Sequence, residues 1–315
     1  MDIVLCTDQK YAVGCGVCIS SIVRHNDPKE CNFHIFTNDL PADDRAKFEE
    51  IAKTHGCTVE MIDIDDKQFI NLTVSDRFPI SIYYRYLAPT LLSCDKSLYL
   101  DCDTIVNGSI KELWDTDITN VPLAAVEDQA NCLNPAHFAS HIGPYNHSYF
   151  NSGVLLLNHK YWREHNTIAE LTKSIEEHPS FTFADQDALN FVLRDKVKIL
   201  SHKFNYQSDW VFGKWANSLK DNKFHTSKEE AIVIHYCYTA PWIFGKYHPM
   251  SNLFFHELEH SPWRDYVIAK HSRMEGKVAT ILRPLWWFDR AFSTNIGAKA
   301  TAWIANNWLI LTGRR

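Results

Sequence analysis

Short apolar runs rich in β-branched residues alternate with helical patterns through the first two-thirds of the chain, and this alternation constrains the fold most. The runs are DIVLC (2–6), NFHIFT (32–37), TVEMIDI (58–64), KSLYLD (96–101), PLAAVED (122–128), GVLLLN (153–158), VKIL (197–200) and AIVIHYC (231–237). Between them the apolar spacing predicts helices over 14–24, 42–55, 81–91, 168–178 and 185–193. The second has a clear start signal, Pro41 followed by Asp43 and Asp44 in the first turn. Strand and helix in alternation imply an α/β fold, a mostly parallel central sheet flanked by helices on both faces. At 315 residues and 45% hydrophobic, the chain can bury a large core without disulfides or a structural metal.

One strand ends unusually. SLYLDCDTIV runs apolar through Leu98, Tyr99 and Leu100 and then presents Asp101 and Asp103, two residues apart. On an extended backbone such a pair shares one side. Two carboxylates held together call for a cation between them. The same spacing at Asp63/Asp65, Asp115/Asp117 and Asp185/Asp187 follows no such run, and most such pairs in proteins are solvated loop or cap acids. Ligands of open α/β sheets gather beyond the carboxyl ends of the strands. Asp8, Asp128 and His235 also stand at strand ends, and Asn151 just precedes a strand, so a parallel sheet would bring them to one edge. Asp, Asp and His offer oxygen and imidazole ligands suited to Mn²⁺, with Mg²⁺ as an alternative, and phosphate oxygens to fill other positions. The ligand class this implies is a diphosphate.

Other motifs carry less. HELEH (256–260) matches a zinc-peptidase pattern, but Glu259 is charged where such a helix buries an apolar residue and Pro262 follows at once. CGVC (15–18) has redox-motif spacing, yet it reads better as two small buried residues at a helix start. GCGVCI lacks the third glycine of a dinucleotide fingerprint, and no P-loop is present. The nine cysteines, odd in number and several within apolar runs, fit a reduced, cytoplasmic compartment. Nothing resembling a signal peptide or an 18-residue apolar run is seen.

Charge is uneven. Residues 264–315 hold nine Lys or Arg against three acids, a net +6, whereas the whole chain is at -6 and the remainder therefore at -12. A net acidic body argues against nucleic acid as a partner. The tail places Leu285, Phe288, Phe292, Ile296, Ala300, Trp303 and Ile304 at helical spacing among basic residues. That pattern predicts a helical appendage making peripheral contact with a membrane surface. The expected organisation is a catalytic domain over 1–263 and a basic, aromatic-rich C-terminal tail over 264–315.

Five blocks in order carry a family resemblance: MDIVLCTDQKYAVGCGVCISSI, ISIYYRYLAPTLLSCDKSLYLDCDTIVNGSIKELWDTD, YFNSGVLLLN, FADQDALN and IVIHYCYTAPW. Together they resemble family 8 glycosyltransferases, particularly bacterial lipopolysaccharide galactosyl- and glucosyltransferases, and HELEHSPWRDY is similar to that family's terminal segment. The resemblance implies a GT-A fold, a UDP-sugar donor, a saccharide acceptor that can be lipid-linked, Mn²⁺, and transfer with retention of configuration. It implies that Asp101, Asp103 and His235 ligate the metal, with Cys102 between the two aspartates. It further implies that Asp8 and Tyr11 hold the uridine and that Arg85 reaches the donor sugar or diphosphate. Asp128 lines the donor site, and Asn151, Asp185 and Gln186 contact the sugar near its anomeric carbon. Asp185 and Gln186 are the expected catalytic pair, stabilising an oxocarbenium-like centre during same-face attack. The family's His-x-x-Gly-x-x-Lys-Pro-Trp appears here as HYCYTAPW, with Tyr238 for the glycine and Ala240 before Pro241. Lys246, shortly after Trp242, is expected to supply the missing lysine's charge on the diphosphate. Such an enzyme would work in the cytoplasm, on the cytoplasmic face of the inner membrane.

Overall fold

Alternate residues of each strand feed two different cores, as a pleated strand buried on both faces requires. Ile3 and Leu5, Leu98 and Leu100, Ala124 and Val126, and Val154 and Leu156 face one core. Val4, Tyr99, Leu123 with Ala125, and Leu155 with Leu157 face the other. The computed structural model describes residues 1–69, 72, 79–129, 142, 149–207, 230–237, 239–245, 248 and 250–267. Lys246, Tyr238, Cys132 and the tail beyond residue 267 lie outside the described residues.

The central sheet joins β1 (Asp2–Cys6), β2 (Asn32–Thr37), β3 (Thr58–Asp63), β4 (Lys96–Leu100), β6 (Leu123–Glu127), β7 (Phe150–Asn158) and β8 (Lys198–Leu200) in the order β3-β2-β1-β4-β7-β6-β8. Every neighbouring pair is parallel except the two made by β7, which runs antiparallel to β4 and β6. All nine residues of β7 are buried, as befits a strand in the middle of the sheet. A second, three-stranded sheet sets β10 (Val233–His235) between β5 (Thr104–Val106) and β9 (Tyr206–Gln207).

The helices follow the apolar spacing closely: α1 spans Ala12–His25 and α2 Ala42–His55, each buried against the first core. The segment expected as a single helix over 81–91 divides into a 3-10 turn, Ile80–Leu87, and one α turn, α3 (Ala88–Leu91). Pro89 has no N–H to donate to the Arg85 carbonyl, so the ladder closes three residues back instead, from Ala88 N–H to that oxygen. The tighter turn buries Tyr83, Tyr84, Arg85 and Tyr86 consecutively. Further along, α4 (Lys111–Trp114), α5 (His159–Glu164), α6 (Thr167–Glu177) and α7 (Ala184–Leu193) follow, then α8 (Pro241–Phe244) and α9 (Ser251–Glu259).

The glycines and the zinc-peptidase decoy find structural explanations. A Cβ on Gly14 would lie 2.5 Å from the Trp242 ring, and one on Gly16 would lie 2.1 Å from Trp263. The Gly-x-Gly of α1 is therefore a seat for two tryptophans. Trp263 Nε1 also donates to Asp44 Oδ1 at 2.9 Å, fastening the segment after α9 to α2. Glu257 of HELEH is buried and pairs with Arg24 of α1 at 2.9 Å, and His260 Nδ1 bonds to the His256 carbonyl. Cys15 and Cys18 are fully buried with pKa values raised by burial, which makes them inert small hydrophobes. The eight cysteines among the described residues are all free. No helix among the described residues is long and apolar enough to cross a membrane.

Candidate active site

The expected site residues meet, but not by the route a uniformly parallel sheet would give. Because β7 is reversed, its N-terminal end, carrying Asn151, lies at the edge where β1, β4 and β6 end. Asp101 N–H donates to the Gly153 carbonyl and Asp128 N–H to the Tyr149 carbonyl, each at 2.8 Å, which fixes both aspartates against this end of β7. His235 comes from β10 of the small sheet, paired antiparallel with Thr104 of β5. Nor do Asp101 and Asp103 converge through an extended pleat. Residues 101–104 form a turn closed by Thr104 N–H to the Asp101 carbonyl at 3.2 Å, and this turn hands the chain from one sheet to the other.

Asp8, Tyr11, Arg85, Asp101, Cys102, Asp103, Asp128, Asn151, Asp185, Gln186 and His235 all line one cavity of about 410 Å³. Its size falls in the range of small-molecule sites. At one end, single ligand atoms of Asp101, Asp103 and His235 lie within 4.8 Å of one another. His235 Nε2 is 3.1 Å from Asp103 Oδ1 and 3.8 Å from Asp101 Oδ2. The packing preserves this concavity: a Cβ on Gly153 would stand 2.2 Å from His235 Cε1 and 2.7 Å from Asp101 Oδ2. A hard, mixed oxygen and imidazole set in such a cradle fits a divalent cation. Burial opposes charge on His235, but Cys237 and Asp103 beside it outweigh that and raise its pKa well above the ordinary imidazole value. A cation would take the place of that proton.

Arg85 joins the two ends of the cavity. Its Nε donates to the Ile82 carbonyl at 2.8 Å, one terminal nitrogen to the Ser152 carbonyl at 2.7 Å, and the other to Asp101 Oδ1 at 3.1 Å. It also lies 3.3 Å from Asp185 Oδ2 and 4.3 Å over the Tyr99 ring. The Tyr99 hydroxyl donates to the same Asp101 oxygen at 2.5 Å. One oxygen of Asp101 is thus occupied by protein donors, leaving Oδ2 toward His235. Burial pushes the Asp185 carboxyl up to about 6, against the pull of Arg85.

At the other end, Gln186 Oε1 accepts from Ser152 N–H at 2.9 Å and from Asn151 Nδ2 at 3.2 Å, while Gln186 Nε2 donates to Asp128 Oδ2 at 3.2 Å. The turn presenting Asp185 and Gln186 is held from behind by Asp187, whose Oδ2 accepts from Thr182 N–H at 2.7 Å and Phe183 N–H at 2.9 Å. Ala184 sits there at φ +23°, a conformation an alanine keeps only under such restraint. Asp8 Oδ1 accepts from Tyr11 N–H at 3.0 Å, setting the start of α1 at the cavity wall. Cys102 turns away, its thiol donating to the Cys6 carbonyl at 3.1 Å.

Several contributors escaped sequence reasoning. Tyr99 sits inside an apolar run, where nothing distinguishes a polar supporter from a core residue, and Ser152 acts through its backbone, which no side chain announces. Asn205 accepts from His235 Nδ1 at 3.0 Å, yet it lies between a short 3-10 turn and the two residues of β9, which give no periodic signal. Asp187 was visible as a member of an Asp-x-Asp pair, although its role is to hold backbone.

The comparisons agree with this architecture. The chain is 30% identical over 264 residues to the lipopolysaccharide 1,3-galactosyltransferase of Salmonella typhimurium, covering 81% of this chain and 77% of the relative. It is 29% identical over 276 residues to general stress protein A of Bacillus subtilis, covering 84% and 94%, respectively. It is also 28% identical to the lipopolysaccharide glucosyltransferase WaaO of Escherichia coli, over 86% of this chain and 81% of that one. The crystal structure of the galactosyltransferase LgtC, in complex with donor and acceptor sugar analogues, superposes with a TM-score of 0.73 at 26% identity, over 87% of this chain and all of that one. The fold is accordingly GT-A. Residues 2–244 match the profile of Glycosyl transferase family 8, and the chain belongs to that family.

Proposed function

We propose that the protein transfers a hexose, glucose or galactose, from a UDP-sugar to a saccharide acceptor of a lipopolysaccharide core or another surface glycan. Configuration at the anomeric carbon is retained, and the cofactor is Mn²⁺, with Mg²⁺ as a substitute. The observation that carries this reading is the meeting of Asp101, Asp103 and His235 with Arg85, Asn151, Asp185 and Gln186 around one cavity. The lipopolysaccharide transferases among the relatives support the acceptor class, and the sugar analogues in the LgtC complex support a donor and an acceptor.

A divalent cation held by Asp101, Asp103 and His235 would supply Lewis acidity to the departing diphosphate, worth several kcal/mol. The chain's own residues do the rest. Asp8 and Tyr11 receive the uridine, Lys246 adds positive charge at the diphosphate, and Asp128 and Asn151 hold sugar hydroxyls. Gln186 is a poor nucleophile because its oxygen already accepts from Ser152 and Asn151. Asp185, still largely ionised at neutrality although burial raises it to about 6, is engaged by the Arg85 guanidinium at 3.3 Å. Both facts favour same-face attack. The acceptor oxygen bonds to the anomeric carbon as the bond to phosphate breaks, and the acceptor proton passes to the departing phosphate oxygen. Asp185 and Gln186 position the sugar and stabilise its positive charge. The basic tail over 264–315 rests on the cytoplasmic face of the inner membrane, near a lipid-linked acceptor.

The test is UDP release from UDP-glucose, UDP-galactose and UDP-N-acetylglucosamine, each with Mn²⁺ and with EDTA. Metal-dependent release from one hexose donor is expected. UDP binding without release, even with acceptor glycans supplied, would replace this reading with a non-catalytic UDP-sugar binder. Release stimulated only by protein or soluble glycans would move the acceptor away from the cell surface.

A further inference from the structure

We infer that Asn205 is a positioning residue that fixes the His235 imidazole in the form a metal needs and ties the cation site to the sugar-facing amides. This rests on the metal reading above. The argument begins from a group whose hydrogen position is not in question, the backbone N–H of Gly153. It donates to the Asn151 side chain at 3.0 Å, so the atom it meets is the oxygen, Oδ1. The same oxygen lies 2.9 Å from the Asn205 amide, which must therefore present its nitrogen, Nδ2. Asn205 is left with its oxygen toward His235 Nδ1 at 3.0 Å, and an oxygen there requires a hydrogen on Nδ1. Nε2 is then the nitrogen whose lone pair can face the cation, on the side of Asp101 and Asp103.

A second backbone donor anchors the far end. Ser152 N–H fixes Gln186 Oε1, so Gln186 Nε2 faces Asp128, and Asn151 Nδ2 donates to both Asp128 and Gln186. Gly153, Asn151, Asn205 and His235 form one chain in which each orientation determines the next. Asn151, Asn205 and His235 are all buried, Asn205 fully so, and a buried amide stripped of its partner is costly. Removing the partner that orients a metal-bound imidazole costs ~10–100-fold in metal affinity.

The experiment measures Mn²⁺ affinity of the full chain in the presence of UDP, from the paramagnetic resonance signal of free Mn²⁺, for the wild type, Asn205→Leu and Asn205→Asp. Calorimetric binding of UDP-glucose and UDP-galactose at saturating Mn²⁺ accompanies it. Asn205→Leu, which loses both bonds, is expected to bind Mn²⁺ at least ~10-fold more weakly. Asn205→Asp still accepts from Nδ1–H and should keep Mn²⁺ affinity within about threefold, roughly one weak hydrogen bond's worth. It loses the donor to Asn151, so its UDP-hexose affinity should fall about fivefold, the equivalent of a ~1 kcal/mol hydrogen bond. Wild-type Mn²⁺ affinity in Asn205→Leu, or equal losses of it in both variants, would overturn the assignment while leaving the proposed function standing. Should Asn205→Leu fail to fold, unchanged UDP-hexose affinity in Asn205→Asp would still overturn it. A wild type that binds UDP but no Mn²⁺ would bring down the metal reading and this inference together.

Discussion

Replacing Gly153 by alanine adds one methyl group and should disable the site from outside its ligand set. The new Cβ would meet His235 Cε1 at 2.2 Å, His235 Nδ1 at 2.8 Å and Asp101 Oδ2 at 2.7 Å. Ordinary contact begins near 3.4 Å, so the imidazole must retreat by about 1.2 Å, or β7 must shift by as much. β7 is buried along its whole length and hydrogen-bonded on both sides, so the side chains move first. Metal ligation tolerates roughly ±0.2 Å, far less than that retreat. The overpacking itself should cost about 1–3 kcal/mol of stability. The Mn²⁺ affinity should fall at least ~10-fold, as for loss of a supporting contact to a metal ligand. The assay pairs Mn²⁺ titration with thermal melting. A variant that melts a little lower but binds Mn²⁺ as the wild type does would refute the claim that Gly153 keeps room for the cation site.

Three other predictions follow from separate parts of the molecule. Asp103→Asn should abolish Mn²⁺-dependent UDP release while leaving the melting temperature nearly unchanged, because Asp103 is only partly buried at the cavity rim; activity retained would remove it from the ligand set. His34 bridges Asp2 and Glu60 across β1, β2 and β3 at 3.1 Å each. Burial opposes its charge, but these carboxylates raise its folded pKa above 6.5, and His34 holds Asp2 below 3.8. The His34 contribution is complete below pH 6.5 and lost as pH rises through the raised value, and that of Asp2 is lost as pH falls through its depressed value. His34→Gln should therefore cost about 1 kcal/mol near pH 5.5 and less at pH 8.5, and an equal difference in melting at both would contradict the pairing. Truncation before Arg283 should leave UDP-sugar hydrolysis largely intact and weaken binding to anionic vesicles, with unchanged vesicle binding counting against the membrane role.

Much of this was legible in the residues because local chemistry decided it. The apolar runs became strands within two residues, apart from GVLLLN, whose strand begins three residues earlier at Phe150, and Pro41 with Asp43 and Asp44 marked the start of α2 at its observed boundary. Asp101 and Asp103 stood out by following a buried strand. What could not be read was tertiary. Nothing in GVLLLN distinguishes a reversed strand from a parallel one, since a strand buried on both faces has the same composition either way. The reversal matters, because it brings Asn151 to the site by the strand's N-terminal end. The AIVIHYC run placed His235 at a strand end but not in a second sheet, whose strands are only two or three residues long and carry no signal of their pairing. Asn205 was missed for the same reason. The single helix expected over 81–91 failed on Pro89, whose missing N–H tightened the turn that buries Arg85.

The central claim is that a divalent cation sits among Asp101, Asp103 and His235 and there meets the diphosphate of a UDP-sugar. Its most direct test is anomalous scattering at the manganese edge from crystals grown with Mn²⁺ and UDP. The account predicts a single strong peak within bonding distance of one oxygen from each aspartate and of His235 Nε2, with the UDP phosphates beside it. Density for UDP in the cavity with no anomalous peak at these three residues would contradict it.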